Sequence, residues 1–229
     1  MRRHIQGFKN YWESDNSFIV LLIMLLFAVF ILPVLIDSEE DSLLLLNGFF
    51  ILLFIMGIFS AKDRAFFVAS IVMISAHLLL RGIRFADNPF EYYWLERVVI
   101  ILNLVLFIVI NSRLLFRDYE VNLYRVLGAV NIYLLLALVG AFAFELIYLT
   151  QGEVLEGSIS LRGKDKDYSE YIYYSLAAIS TLGMGDVYPV TSSSKMLTVF
   201  LSTIGILYPA VVIARLISFT AAKKITDSN

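Results

Sequence analysis

The stretch YSEYIYYSLAAISTLGMGDVYPVT, Tyr168–Thr191, decides how this chain is read. Ser169 is an N-cap candidate with Glu170 behind it, and the pattern predicts a helix over about 169–180. That helix is too short to cross a bilayer, which takes about 20 apolar residues. It runs straight into TLGMGD, where Gly183 and Gly185 permit backbone angles that a Cβ resists. At membrane depth such a turn leaves carbonyls without partners, each costing several kcal/mol against lipid. Irregular backbone there must lie inside protein or along a water-filled path. Carbonyls facing a desolvated cation meet that demand by replacing its hydration shell.

Working outward, the flanks are apolar. Of the 229 residues 59 % are hydrophobic, and the mean hydropathy is +0.79. Six spans are expected, at about 17–36, 43–61, 65–83, 93–115, 123–149 and 194–221, with the short helix between the last two. The fold class is therefore an all-α integral membrane protein. The first span carries no charge and runs into LPVLIDSEE rather than a small-residue cleavage site, so it reads as a retained span and not a signal peptide. With no cysteine there is no disulfide, thiolate metal site or cysteine nucleophile. The two histidines, His4 and His77, show no metal-ligand spacing and no serine-dyad partner, so an enzyme is not expected. No cofactor and no nucleic-acid partner are expected either.

Basic residues set the orientation. With a cytoplasmic amino terminus the inner side collects Arg2, Arg3, Lys9, Lys62, Arg64, Arg113, Arg117, Arg125, Arg215, Lys223 and Lys224. The outer side holds fewer, among them Arg81, Arg84, Arg97 and Lys164. Both termini are thus expected in the cytoplasm of a multi-pass cell-membrane protein. The same assignment puts Asp37, Glu39, Glu40, Asp41, Glu153, Glu156 and Asp186 outside, where they would concentrate cations. Residues 1–16, with Tyr11 and Trp12 among charges, suit the inner interface, as does the stretch from Ser112 to Leu127.

The segment of about Tyr168–Ile217 resembles the pore module of potassium channels, where a pore helix leads into a filter of the type TVGYGD; the whole chain looks like the six-span members of that superfamily. The resemblance implies a domain of four helices over 17–116, a pore domain over 117–221 and a short tail at 222–229. It implies that carbonyls of Thr181, Leu182, Gly183 and Met184, with the Thr181 hydroxyl, bind potassium ions. Gly185 would permit the outer turn and Asp186 would sit at the outer mouth. Tyr173 and Tyr174 would form an aromatic cuff, and Glu145 would brace the filter or face interfacial water. Gly205 and Pro209 would be hinges of the last span, a proline costing one helical hydrogen bond. One chain supplies one strand of ligands, so a homotetramer around a fourfold axis is expected.

Two departures stand out. Met184 replaces the family's usual tyrosine, removing a bracing hydroxyl, and Ala177 stands where some bacterial channels carry a glutamate. A weakly selective cation channel is therefore the nearest alternative; a secondary transporter fits less well, since only one broken element is seen rather than paired halves. The fourth span has Arg97 and Arg113 at its ends and neutral residues between, which is no gating-charge array. Asn103 and Asn111 are expected to make interhelical hydrogen bonds. His77 reads as a buried, hydrogen-bonded histidine sooner than a proton sensor.

Overall fold

The computed structural model describes residues 17–38, 42–60, 64–85, 92–115 and 123–226. The expected interfacial segment 1–16, residues 116–122 of the linker stretch, and residues 227–229 of the tail lie outside the described residues, as do Glu39, Glu40, Asp41 and Lys62.

The chain begins with α1 (Ser17–Leu26), which passes through a π-helical turn at Phe27–Ile31 into α2 (Leu32–Ser38). Pro33 explains the widened turn: it cannot donate to the carbonyl four residues back and its ring crowds that turn, a strain that a π-bulge relieves. Three helices follow: α3 (Ser42–Ser60), α4 (Arg64–Phe85) and α5 (Tyr93–Leu115). The remainder is α6 (Leu123–Gln151), a strand β1 (Leu155–Gly157), a 3-10 turn at Lys164–Asp167, α7 (Tyr168–Ile179), a strand β2 (Val187–Pro189) and α8 (Ser192–Thr226).

Five of these stretches are long and apolar enough to cross a membrane: Phe18–Ile36, Ala65–Arg84, Tyr93–Arg113, Leu123–Gln151 and Ser192–Arg215. The expected second span is also helical, over Ser42–Ser60, and carries no charged residue; among the described residues its apolar stretch is Leu45–Met56.

The helix α6 is the hub, packing on α5, α7, α1 and α8. Its Leu135, Leu138, Phe142 and Phe144 are all buried. Close approaches there are made by small residues. A Cβ on Gly140 would meet Ser175 Oγ at 2.3 Å, and one on Gly128 would meet the Phe18 ring at 2.8 Å. Asn131 fixes the same end of α1 by donating to the Phe18 carbonyl at 2.9 Å. In contrast, α8 leaves Phe200, Ile206, Leu207 and Val211 exposed.

Two local details differ from the sequence reading. The short helix starts at Tyr168, one residue before the expected cap, and Asp167 precedes it without a side-chain cap bond. The Asp167 carboxylate instead accepts the backbone N–H groups of Arg162 at 2.6 Å and Gly163 at 2.7 Å. The strands were not expected; β1 and β2 pair antiparallel, with Glu156 opposite Tyr188. At the start of α8, Thr191 Oγ1 accepts the Ser194 N–H at 3.2 Å and Ser194 Oγ accepts the Thr191 N–H at 3.1 Å, a reciprocal capping pair.

Candidate functional site

The loop leaving α7 is anchored at its base and bare at its oxygens. The Thr181 N–H donates to the Ala178 carbonyl at 3.1 Å and the Leu182 N–H to the Ala177 carbonyl at 3.0 Å. Thr181 takes φ +56°, Gly183 φ +53° and Gly185 φ +80°. A positive φ at a β-branched threonine is strained, and such strain persists only where the surroundings enforce it. Among the described residues, no donor reaches the carbonyls of Thr181, Leu182, Gly183 or Met184. Leu182 and Met184 are 62 % and 65 % exposed. The carbonyls of these four residues thus lie unpaired, among the described residues, on an exposed and strained loop.

Around the loop, the expected residues divide. Tyr173 donates its hydroxyl to Asp186 Oδ2 at 2.6 Å, and Asp186 Oδ1 accepts the Val187 N–H at 3.0 Å. The exit from the loop is thereby tied to α7. Tyr174 bonds elsewhere, sharing a 3.0 Å hydrogen bond with Thr198 on α8. Behind the loop, Ser175 donates to the Ala137 carbonyl at 2.6 Å, Tyr133 to the Ile179 carbonyl at 3.0 Å, and Ser202 to the Ala178 carbonyl at 2.9 Å. Gly157 completes the frame, because a Cβ there would lie 2.0 Å from the Asp186 carbonyl oxygen.

Gly205 sits where α8 crosses the end of α7; a Cβ on it would be 1.7 Å from the Ile179 oxygen. Close packing by itself requires a glycine at this position. Pro209 lies within the continuous helix α8. With Tyr133, Tyr208, Val126, Val130 and Val212 it lines an apolar cavity of about 320 Å³ between α6 and α8.

Glu145 has neither of its expected surroundings. Its carboxylate is buried, pairs with Arg97 Nε at 2.9 Å, and accepts the Tyr93 hydroxyl at 2.5 Å. It belongs to a buried ion network that the sequence reading missed. Arg97 also pairs with Asp165, and its guanidinium lies over the Tyr93 ring, 4.4 Å from the centroid. Arg84 pairs with Asp165 at 2.7 Å and Glu96 at 3.3 Å, while Arg81 pairs with Glu96 at 2.7 Å. Burial pushes the Asp165 carboxyl upward, but the charges of Arg97, Arg84 and Arg81 outweigh it and hold the group below the ordinary carboxylate range. Burial raises Asp167 against its two backbone donors. The available signal in the sequence was three arginines and three carboxylates near the same ends of the spans.

The other polar residues of the spans also depart from expectation. Asn103 and Asn111 donate to the carbonyls four residues back on their own helix, at 3.1 and 2.9 Å. His77 is buried with its ring edge-on to Phe54 at 5.7 Å, yet neither nitrogen has a hydrogen-bond partner among the described residues. Replacing it removes polar atoms that burial penalises. His77→Leu is expected to keep or raise stability, by up to about 1–3 kcal/mol. Thermal unfolding in detergent reads this, and a lowered midpoint would contradict the unpartnered ring.

No curated protein and no solved structure matches the chain. Residues 132–222, from within α6 to within α8, match the family model described as Ion channel; this stretch of two long apolar helices around a short helix and a loop is therefore similar to ion channels of the pore-loop type.

Proposed function

We propose that the chain is one subunit of a homotetrameric, potassium-selective channel of the cell membrane, conducting ions passively along an axis lined by Thr181, Leu182, Gly183 and Met184. The observation that carries this reading is the row of unpaired carbonyls on a strained loop, held from behind by α6, α7 and α8. Oxygens from one loop cover only one side of a cation, so four copies complete the shell. The exposed apolar side of α8 suits contact with lipid and with neighbouring copies. Asp186 would lie at the outer mouth, and both termini and the inner end of α8 would be cytoplasmic.

The test is recording from purified protein in planar bilayers, with a potassium gradient opposed by sodium. Unitary currents reversing near the potassium equilibrium potential are expected. Slow saturable flux by a monomer or dimer would point to a transporter instead.

Met184 favours a second reading, a weakly selective monovalent cation channel on the same scaffold. Its side chain is flexible and more than half exposed, and it offers no hydroxyl to brace the loop. Met184→Tyr is expected to stiffen the filter and move the reversal potential toward that of potassium. An unchanged reversal potential in mixed sodium and potassium would count against this.

Voltage dependence is expected to be weak. Arg81, Arg84 and Arg97 are each ion-paired to carboxylates at one end of the α4–α5 pair, which leaves no ladder of charges through the span. A steep conductance–voltage curve without blocking ions would contradict that pairing.

A further inference from the structure

The buried ion network is joined to the loop oxygens by a single short helix. Asp165 sits in the 3-10 turn that leads directly into α7. Its carboxylate is held by Arg84 and Arg97, contributed by α4 and α5. Next to it, the Tyr168 hydroxyl donates to the Ala28 carbonyl at 2.9 Å, within the π-helical turn of the first span. The beginning of α7 is thus gripped by the π-helical turn, α4 and α5 together. Its other end carries the Ala177 and Ala178 carbonyls that accept the Leu182 and Thr181 N–H groups.

From this we propose that Asp165, Arg97 and Tyr93 are positioning residues for the loop oxygens. They act through α7, so the helices before α6 bear on ion passage from the network end of the bundle. The inference rests on the pore reading given above. The physical reason is stiffness: α7 is a 12-residue helix, pinned along its length by Ser175 to the Ala137 carbonyl. A shift at its beginning therefore reaches its end as a tilt rather than being absorbed locally. The network is suited to set that tilt because its charges balance within themselves. Arg81, Arg84 and Arg97 face Glu96, Glu145 and Asp165, and nearly all of it is buried. Buried charges hold each other in defined geometry, since any displacement leaves one uncompensated. Tyr93 joins the two halves by donating to Glu145 while Arg97 donates to its hydroxyl oxygen.

Bilayer recording of the full-length protein, with size-exclusion chromatography of each variant, tests the proposal. Asp165→Asn keeps the shape and removes the charge that Arg84 and Arg97 share. It is expected to lower open probability about tenfold, and to shift the potassium-to-sodium permeability ratio, in a tetramer that still assembles. Tyr93→Phe leaves every charge in place and is expected to move both readouts in the same direction by less. A permeability ratio is a property of the loop, so a merely structural role for the network would leave it unmoved. Should Asp165→Asn fail to assemble, Tyr93→Phe decides alone. Assembled variants with the parent's open probability and permeability ratio would overturn the proposal. A parent protein that passes no cation current would instead overturn the pore reading, and this inference with it.

Discussion

Gly205→Ala is expected to abolish conduction and to lower the stability of the folded chain. The added methyl would fall 1.7 Å from the Ile179 oxygen and 2.7 Å from its carbonyl carbon. Both are backbone atoms at the end of a helix, so no rotamer change relieves the clash. Either α8 moves outward or the end of α7 moves, and overpacking of this kind costs about 1–3 kcal/mol, occasionally more. The same carbonyl accepts the Tyr133 hydroxyl, and the strained Thr181 follows two residues later. A small displacement there is therefore delivered to the loop oxygens directly. Gly140→Ala offers the comparison. Its nearest contacts are the side chains of Ser175 and Leu201, which can give way, so a smaller effect is expected. Cation flux into proteoliposomes and the thermal midpoint in detergent read both variants. Were Gly205 needed only as a hinge, alanine would alter gating while leaving the midpoint in place.

Arg97→Leu is expected to destabilise the protein by about 3–5 kcal/mol, since it leaves Glu145 and Asp165 buried together without their shared cation. The loss of packing is small by comparison, because leucine still fills much of the space beside Phe142 and Tyr93. Asp165 keeps Arg84, so adding Glu145→Gln removes the charge that Arg97 leaves behind and is expected to recover part of the loss. Denaturant unfolding of the single and double variants measures the coupling directly. Equal stability of Arg97→Leu and the parent would show that the arginine does not pair as described.

Much of the architecture was legible because membrane burial imposes a coarse rule. Long apolar stretches must be helical, since helices satisfy their own backbone groups. The limits of the spans, the short helix before the glycines and the bare loop behind it all follow from hydropathy, length and two glycine positions. What stayed hidden depends on partners distant in sequence. Glu145 gives no sign in its own neighbourhood that its cation is Arg97, and Asp165 looks like any acid in a polar loop. The short β1–β2 pair was hidden for the same reason, since three residues give too little alternation to detect. The π-helical turn had a visible cause in Pro33, but only the packing of Tyr168 on Ala28 gives that turn a use.

The amino-acid sequence alone determined the class of molecule, the order of its helices and the position of its loop oxygens, because those follow from local composition and backbone geometry. Only the tertiary structure decided which residues hold the loop and its leading helix in place. It gave Gly205 a packing duty, tied Tyr173 to Asp186, and joined Arg81, Arg84 and Arg97 to carboxylates on α5, α6 and the turn before α7. The physical reason is that charge compensation and steric fit are properties of groups brought within a few ångströms by folding, and a linear chain does not encode them in any single stretch.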